Sequence, residues 1–360
     1  MKRKLAIVIP SLRGGGSERV IINLINNLDL DKFEIKLLVV KKEGPYIKYL
    51  PNNVSVVDLK SERVRYSLFK MVRVLNEYKP DVILSTLGHL NLVLISIRKF
   101  LKNSPKVIVR ESNTPSMSLT KLSNGKKRLF KFLYRCFYPK ADLIIAQCKD
   151  MKQDIVKTYR IDERKIDYIY NPIDLNSIIS NAGELNPFDD NKTNIVAVGR
   201  LTYQKGFDVL LRSFKLVNQE LPNSRLTILG EGSLKDTLDN QVKQLSISDS
   251  VSIIGFKDNP YPYYKNADLF VLSSRWEGFP NVLLEALACN TKVVATKCKS
   301  GPKEILENGK YGQLTEVENE VSLAKAIIES LNSEYIGQNR AKDFDISVII
   351  KQYEKLLLNI

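Results

Sequence analysis

The chain has 360 residues, of which 44% are hydrophobic and 26% are charged. This composition excludes a disordered chain, a collagen and a coiled-coil rod, and the length favours two domains, since single domains most often hold about 100 to 200 residues. The formal net charge of +15 lies in the N-terminal half, because residues 1–150 hold 29 Lys and Arg against 12 Asp and Glu. Such a field attracts nucleic acid, an anionic membrane surface or a phosphorylated substrate, and charge alone does not choose among them.

The sequence gives no sign of export or of a metal site. No apolar run reaches the roughly 18 to 20 residues that span a bilayer, and the run that follows the basic residues 2–4 is too short for a signal peptide. We therefore expect a cytoplasmic protein. The four cysteines form no CxxC pair and His89 is the single histidine, so we expect buried, reduced thiols and no bound metal.

Short β-branched runs alternate with amphipathic helical stretches along the whole chain, which is typical of parallel strands joined by helical crossovers. The pattern predicts strands at Leu5–Ile9, Ile35–Val40, Val54–Val57, Val82–Ser85, Lys106–Val109, Leu143–Ala146, Asn194–Val198, Arg225–Leu229, Val251–Ile254, Leu269–Leu272 and Lys292–Ala295. The predicted fold class is therefore α/β, with two doubly wound, Rossmann-like domains that face each other across a cleft.

Loss of strand and helix propensity after Pro172 places the domain boundary there. We predict a first domain over residues 1–172, a linker over 173–190 and a second domain over 191–340. Apolar residues at helical spacing from Ile346 to Leu358 predict a terminal helix within residues 341–360, which can return to the first domain.

Three glycines, Gly14 to Gly16, separate the first strand from a helix predicted to begin near Glu18. Glycines let another molecule approach the backbone, and the amides of a first helical turn favour an anion by about 0.3 to 1 kcal/mol. We therefore predict that Gly15 and Gly16 border a phosphate of a ligand. The spacing is not GxGxxG, so a dinucleotide signature is not met, and a tight turn without a ligand is the alternative.

A second loop follows the first strand of the second domain, from Gly199 to Gly206. Arg200 and Lys205 lie in this loop, where a fork-shaped guanidinium and a compact ammonium can bracket a diphosphate in place of a metal ion. The alternative is a pair of exposed cations on a loop.

A third motif lies between the strand ending at Leu272 and an apolar helix. Gly278 lets ligand atoms approach the free amides of that helix, and Pro280 suits its first turn, which predicts a second anion site. Glu285, one turn into the helix, can accept hydrogen bonds from a ribose diol, while Glu277 can reach a sugar ring.

Together these motifs resemble the retaining nucleotide-sugar glycosyltransferases of the GT-B fold, and specifically glycosyltransferase family 4. The resemblance is strongest over residues 199–306. It rests on the GR-LxxxKG segment from Gly199, on Gly230-Glu231-Gly232, on Gly255-Phe256, on the pair Glu277 and Glu285, and on the segment Ser300-Gly301-Pro302-Lys303-Glu304-Ile305.

The resemblance implies a metal-independent enzyme without a cofactor, which holds a UDP- or GDP-sugar mainly in its second domain and transfers the sugar with retention to a saccharide acceptor. A UDP-sugar is favoured. It assigns the diphosphate to Arg200 and Lys205, the ribose to Glu285, and the sugar and catalysis to Glu277. Further donor contacts are implied for Gly199, Glu231, Phe256, Lys257, Gly278, Phe279, Pro280, Asn281, Val282 and Leu283.

Two residues of the first domain are candidates for the acceptor. His89 follows the fourth strand and could contact the acceptor or the transferred sugar, against a capping or packed histidine as the alternative. Arg110 ends the next strand and could bind an acceptor phosphate, against a local pair with Glu111.

Residues 121–138 hold six basic residues and no acidic one. Helical spacing predicts that one apolar stripe, comprising Leu129, Phe132, Leu133, Cys136 and Phe137, faces the core. A second stripe, with Phe130, Tyr134 and Tyr138 beside Lys127, Lys131 and Arg135, suits a helix at an anionic bilayer surface. We hypothesise that this domain docks on the inner membrane face to reach a lipid-linked acceptor. A fully packed helix with a solvated basic side is the alternative.

Two other kinds of function compete with a transferase. The basic half suggests a nonenzymatic nucleic-acid-binding protein, but no RRM, KH or zinc-finger pattern supports it and the specific motifs lie in the other half, so we expect no nucleic-acid partner. The enzymatic alternatives are a UDP-sugar epimerase and a phosphorylase of similar architecture, and a phosphorylase would need a pyridoxal cofactor.

Overall fold

A computed structural model describes residues 1–120, 122–183, 185–188, 191–334 and 339–360. The chain forms two compact units, one of residues 1–172 together with 346–360 and one of residues 173–345. Each unit is built on one parallel β-sheet, with strand order β3-β2-β1-β4-β5-β6-β7 in the first and β10-β9-β8-β11-β12-β13 in the second. The strand order reverses between β1 and β4 and between β8 and β11, and open α/β sheets bind ligands outside the carboxyl ends of strands at such points.

The first unit contains seven strands and seven α-helices among the described residues. The strands are β1 Arg3–Ile9, β2 Phe33–Val39, β3 Ser55–Asp58, β4 Val82–Thr86, β5 Lys106–Arg110, β6 Leu143–Ala146 and β7 Ile166–Tyr168. The helices are α1 Gly16–Asn27, α2 Leu68–Tyr78, α3 Gly88–Ile97, α4 Pro115–Thr120, α5 Asn124–Phe137, α6 Lys149–Ile155 and, from the end of the chain, α14 Ile346–Asn359.

The second unit contains six strands and seven α-helices in its described part. The strands are β8 Thr193–Val198, β9 Ser224–Leu229, β10 Val251–Ile253, β11 Leu269–Leu272, β12 Val293–Thr296 and β13 Gln313–Thr315. The helices are α7 Leu175–Ala182, α8 Phe207–Glu220, α9 Lys235–Gln244, α10 Tyr261–Asn266, α11 Asn281–Ala288, α12 Pro302–Ile305 and α13 Glu320–Asn332.

All eleven predicted strands are present, with ends displaced by at most two residues. Two edge strands, β7 and β13, were not predicted from the sequence, because three residues are too few to show a period. The segment 173–190, predicted as a linker, instead begins with α7, while residues 184, 189 and 190 lie outside the described part. Asp174 caps this helix by accepting a hydrogen bond from Ser177 N at 2.9 Å, a start signal that the polar composition obscured.

The C-terminal helix α14 packs in the first unit, as expected from its apolar spacing. Its Ile349, Tyr353 and Leu357 are fully buried against α1 and the sheet. The Arg3 guanidinium donates to the carbonyl of Ile360 at 2.8 Å, which ties the first strand to the end of the chain. In the described part of the chain, every helix is too short or too polar to cross a lipid bilayer.

The structure overturns part of the predicted orientation of α5, while Phe130, Leu133, Cys136 and Phe137 are all half-buried. Tyr134 and Tyr138, assigned to a membrane-facing stripe, are 9% and 0% exposed, whereas Leu129 and Phe132, assigned to the core, are 54% and 63% exposed. The buried tyrosines surround Tyr159, whose ring stacks on Tyr134 with centroids 4.3 Å apart. Both stripes have helical spacing, so periodicity cannot show which one is buried. The tyrosine side is buried because the tyrosine hydroxyls find hydrogen-bond partners in the interior.

One such partner is Glu111, a buried carboxyl at the end of β5. The Tyr138 hydroxyl donates to it, and Asn91 joins the cluster by donating to the Tyr138 oxygen at 3.1 Å. Burial raises the pKa of Glu111 from 4.5 to about 7, although the hydrogen bonds from Tyr138 and Asn91 and the charge of Arg110 act in the opposite direction. The carboxyl is therefore largely protonated below neutral pH.

The stability of the first unit should fall as the pH rises toward neutrality, and Glu111→Gln should abolish this dependence. Below the ordinary pKa the carboxyl is neutral in both states. Between the ordinary and the raised pKa the unfolded chain has released a proton that the folded chain retains, so stability falls over this interval by up to a few kcal/mol. Glutamine keeps the shape and the acceptor oxygen but cannot ionise. Urea unfolding at about pH 5 and about pH 8 measures the free energy of unfolding of both proteins. Relative to the wild type, the variant should be more stable at the higher pH than at the lower one. The prediction is contradicted if the difference in unfolding free energy between variant and wild type is the same at both pH values. It is also contradicted if the exposed control Glu77→Gln shows the same pH-dependent difference.

Candidate active site

The candidate site of the second unit lies where the strand order reverses, at the carboxyl ends of β8 and β11. These strands are neighbours, with Leu269 paired to Ile195 and Phe270 to Val196. The loop after β8 therefore meets the loop after β11, which brings together two motifs that are about 70 residues apart in sequence.

Gly206 allows the two loops to touch. It lies in the left-handed region with φ 65°, and a Cβ at this position would collide with the carbonyl oxygen of Ser273. The Ser273 hydroxyl in turn donates to the carbonyl of Lys205 at 2.8 Å. Only glycine combines this backbone conformation with this close approach.

Lys205 and Glu277 form a buried ion pair between the loops. The Lys205 ammonium lies 2.7 Å from Glu277 Oε1, and the two side chains are 14% and 8% exposed. Ser274 donates to the same carboxylate oxygen at 2.5 Å. An ammonium has three N–H bonds, and the two not used by Glu277 have no acceptor among the residues that the structure describes. The pair therefore offers a cation with unused donors.

Arg200 belongs to the same loop and points elsewhere. It is exposed, and within the described ranges of the chain its guanidinium makes no hydrogen bond or ion pair. Gly199, just before it, lies under the Lys205 side chain, since a Cβ on Gly199 would come within 3.0 Å of Lys205 Cε. The structure thus brings Lys205, Gly199 and Glu277 together and leaves Arg200 free to reach a ligand.

The segment from Gly278 to Val282 leads into the amino end of α11. Gly278, Phe279 and Pro280 are buried, and Asn281 and Val282 are half-buried. The Phe279 ring packs on Phe344, with centroids 5.6 Å apart, so a ligand can meet the backbone of this segment but not that ring. Leu283 is fully buried in the core and its amide donates to Pro280 O at 3.0 Å, which leaves neither its side chain nor its amide for the donor.

Glu285 projects from α11 into a buried environment and is 4% exposed. Tyr264 donates to Glu285 Oε2 at 3.3 Å. Burial, together with the charge of Glu285, raises the pKa of Tyr264 well above its usual value, so the phenol stays protonated and can hold the carboxylate. A ribose hydroxyl would have to share this carboxylate with Tyr264.

The predicted donor contacts Glu231, Phe256 and Lys257, of which the resemblance places Phe256 and Lys257 beside the base, are open to solvent. Phe256 is 55% exposed, and Glu231 and Lys257 are exposed as well. A Cβ on Gly255 would lie 3.8 Å from Glu231 Oε1, so this carboxylate stands beside Gly255. An exposed aromatic ring next to a carboxylate can stack on a base and accept its hydrogen bonds.

The glycine loop of the first unit differs from the predicted anion site. Helix α1 begins at Gly16, and the Glu18 carboxylate folds back over Gly15, because a Cβ there would collide with its oxygen. Glu18 is 9% exposed. A fixed carboxylate at this helix end repels a phosphate, so Gly15 and Gly16 are poorly placed for one in this structure.

His89 and Arg110 lie at the carboxyl edge of the first sheet. His89 is in the first turn of α3 and keeps solvent contact; desolvation by its neighbours lowers the pKa of the imidazole, which favours its neutral form. Arg110 is fully buried, where it donates to the Tyr353 hydroxyl at 3.1 Å and to the side-chain oxygen of Asn171. The local pair with Glu111 does not form, and the enclosed guanidinium presents no surface to an acceptor phosphate.

Sequence reasoning missed several residues that shape these sites. Ser274 orients Glu277, Tyr264 holds Glu285, and Glu18 covers the glycine loop. The role of Glu18 could have been predicted, because a carboxylate in the first turn of a helix is a known capping signal. The contact between Tyr264 and Glu285 could not, because the two residues are 21 positions apart and lie in different elements. Within the described residues, no group of three His, Cys, Asp or Glu side chains is arranged to hold a metal ion.

Comparison with known proteins gives the chain a family. Residues 183–345 match the family model of glycosyl transferases group 1, and residues 14–177 match that of glycosyltransferase family 4. The chain is 34% identical, over 99% of its length and 100% of the relative's, to the N-acetylgalactosamine-N,N'-diacetylbacillosaminyl-diphospho-undecaprenol 4-alpha-N-acetylgalactosaminyltransferase of Campylobacter jejuni. It is 26% identical to the amylovoran biosynthesis glycosyltransferase AmsD of Erwinia amylovora, over 98% and 99% of the two chains.

A solved structure has the same architecture. The crystal structure of Anabaena Alr3699/HepE in complex with UDP and glucose superposes with a TM-score of 0.82 at 21% identity, covering 99% of this chain and 100% of that one. This likeness supports the GT-B fold that the sequence motifs predicted. By its motifs, its two parallel sheets and its full-length relatives, the chain belongs to the GT-B glycosyltransferases of family 4.

Proposed function

We propose that this protein is a retaining, metal-independent glycosyltransferase that moves a sugar from a UDP-sugar to a saccharide carried on a polyprenyl diphosphate. The observation that carries the donor part is the buried pair of Lys205 and Glu277 between the loops after β8 and β11. The acceptor part is supported by the Campylobacter jejuni relative, whose name specifies a diphospho-undecaprenol acceptor.

The donor diphosphate fits the charges of this site. Lys205 is held in place by Glu277 and keeps two N–H bonds for phosphate oxygens, while the exposed Arg200 can close on the diphosphate from solvent. The amides at the start of α11 add partial positive charge. Breaking the bond between sugar and phosphate moves negative charge onto the departing diphosphate, so cations fixed there stabilise the transition state more than the ground state.

The same site favours reaction on one face of the sugar. Glu277 is engaged by Lys205 and by Ser274, which suits an acceptor of hydrogen bonds from the sugar better than a free base. The departing phosphate oxygen can itself take the proton of the acceptor hydroxyl. In this mechanism the protein supplies positioning and electrostatic stabilisation rather than a proton acceptor.

The nucleotide and the sugar follow from the neighbouring residues and from the relatives. We assign the base to the exposed ring of Phe256, beside Glu231 and Lys257, and the ribose to Glu285. The bound UDP in HepE and the N-acetylgalactosamine in the names of two Campylobacter jejuni relatives support a UDP-N-acetylhexosamine as donor. On the acceptor side, the neutral, solvent-contacting His89 is the candidate to contact a sugar hydroxyl.

Docking at the inner face of the cell membrane would bring the enzyme to a lipid-linked acceptor. The side of α5 turned to solvent presents Leu129 and Phe132 beside the exposed Lys126 and Arg128. We assign the docking surface to these four residues, which replace the Phe130 and Tyr134 stripe. Lys127, Lys131 and Arg135 are half-buried and flank it. Apolar side chains that enter the headgroup region and cations that meet anionic lipids act together in such helices.

Lys205→Ala should lower turnover by about 10- to 150-fold, because a charge-assisted hydrogen bond to the leaving group is worth about 1.5 to 3 kcal/mol. Glu277→Ala should be at least as damaging, since it frees Lys205 to move and leaves its charge unpaired. Release of UDP that depends on acceptor measures turnover and separates transfer from epimerisation. Lys325→Ala is the control, because its pair with Glu329 lies at the surface. Turnover near the wild-type rate in Lys205→Ala would refute the site.

Nucleoside diphosphates should raise the melting temperature of the protein in the presence of a chelator, and UDP should do so more than UMP. A ligand at 100 times its Kd that binds only the folded state adds about 2.7 kcal/mol, and the second phosphate is the one that Lys205 and Arg200 bind. UDP, GDP, ADP, UMP and a set of UDP-sugars form the panel. Equal shifts from UDP and UMP, or no shift without metal, would exclude the proposed diphosphate site.

The double variant Leu129→Asn and Phe132→Asn should bind anionic vesicles at least about tenfold more weakly, since two half-exposed apolar side chains together contribute roughly 1.5 to 3 kcal/mol of burial. Lys126→Glu with Arg128→Glu should weaken binding by a similar factor, on anionic vesicles only. Ile179→Asn removes an apolar side chain that is 61% exposed on the second unit and serves as the control. Flotation with vesicles measures binding, and vesicle binding that is unaffected by either α5 variant would refute this docking surface.

A further inference from the structure

Arg275 lies inside the third motif, two residues before Glu277, and has no part in the function proposed above. Its side chain is only 7% exposed. The guanidinium makes two parallel hydrogen bonds to Asp208, at 2.7 and 2.8 Å, and its Nε donates to Glu318 Oε1 at 2.7 Å. All of its N–H edges point at protein groups of the second unit.

Arg275 and its two carboxylate partners follow three different strands. Arg275 follows β11, Asp208 opens α8 after the β8 loop, and Glu318 follows β13. Planar bidentate bonding of this kind fixes orientation as well as distance, which a single ammonium cannot do. The guanidinium therefore joins three loops at the carboxyl edge of the sheet.

Arg275 also holds the short 3-10 turn Tyr203–Lys205, which carries the site lysine. Its Nη1 donates to Tyr203 O at 2.7 Å, and its guanidinium lies 3.8 Å from the centroid of the Tyr203 ring. The Arg275 amide donates to Gln204 O at 2.8 Å, and Gln204 returns a bond to Trp276 O at 3.0 Å. Lys205 and Glu277 are the next residues on either side of this connection.

The charge of Arg275 is already compensated. Its hydrogen bond lowers the pKa of Glu318, and burial, which alone would raise the pKa of Asp208, is outweighed by the bonds from Arg275. Two ionised carboxylates thus face one guanidinium. An anionic ligand gains little from a cation that is neutralised in this way, which distinguishes Arg275 from the free Arg200.

We infer that Arg275 is a positioning residue, which fixes the loops after β8 and β11 so that Lys205 and Glu277 are in register before the donor arrives. The inference rests on the proposed function, because it assigns to Arg275 the placement of the groups that act on the donor diphosphate. A displacement of about 1 Å from the reactive geometry can cost about 100-fold in rate.

Arg275→Lys tests this role, because lysine keeps the charge but has three N–H donors for the four bonds of Arg275, and it cannot form the planar two-bond contact with Asp208 while it also bonds Glu318 and Tyr203 O. We expect kcat for sugar transfer to fall ten- to a hundredfold while the KM for the UDP-sugar changes less than threefold, since Arg200 and the α11 amides still bind the phosphates. Glu318→Ala removes one contact from a half-exposed position, and should lower kcat in the same way but less. It also serves if Arg275→Lys fails to fold.

Arg212→Lys is the matched control. Arg212 bonds Glu320 at 2.7 Å and lies 3.7 Å from the same Asp208, but it holds neither site loop, so kcat should stay within twofold of the wild type. Assays run well below each melting temperature keep stability out of kcat. A wild-type kcat in Arg275→Lys, or a raised KM with unchanged kcat, would overturn the inference.

Lys205→Ala, assayed in parallel, separates the two ideas. If it loses turnover and Arg275→Lys does not, the proposed site stands and the positioning role is excluded. If Lys205→Ala keeps full turnover, the proposed site fails, and a loss in Arg275→Lys would then act through another group, which also overturns the inference.

Discussion

The buried ion pair of Lys205 and Glu277 is the interaction on which the geometry of the candidate site depends. Burying two charges costs several kcal/mol per ion, and their attraction repays that cost only when the geometry is good and further hydrogen bonds complete it. Ser274 supplies one of those bonds, and Gly206 lets the two loops come close enough for the pair to form. The N–H donors that this pair leaves unused suit the donor diphosphate proposed for the site.

Much of the fold follows from the sequence because strands buried on both faces of a parallel sheet appear as continuous apolar runs. All eleven such runs are strands. The edge strands β7 and β13 are only three residues long and half-exposed, so they carry no such run. Helix α7 was hidden for a different reason: its start signal at Asp174 is surrounded by residues that favour turns.

The site was predictable where its chemistry is local and not where it depends on distant partners. Glycine loops, Lys205 and Glu277 stand out because motif and residue type coincide in one short segment. The contacts of Arg275 with Asp208 and Glu318 span 67 and 43 residues, and nothing near Arg275 in sequence indicates them. Arg110 illustrates the converse: a cation at a strand end predicted an anion site, but Tyr353, from the returning helix α14, encloses it.

The charge asymmetry of the chain separates the two proposed tasks, which are donor binding and membrane docking. The cations assigned to the donor, Arg200 and Lys205, lie in the nearly neutral part of the chain. The excess positive charge of the first 150 residues therefore has no part in the proposed donor site. Among these cations, Arg110 is fully enclosed, with Tyr353 and Asn171 bound to two of its three nitrogens. The glycine loop of the first unit is covered by Glu18. Neither position is therefore open to an anion. The excess cations that α5 presents to solvent lie beside Leu129 and Phe132. A surface that combines uncompensated cations with exposed apolar groups matches a lipid bilayer, which offers both anionic headgroups and hydrocarbon. A free phosphate or the backbone of a nucleic acid offers the negative charge without the hydrocarbon.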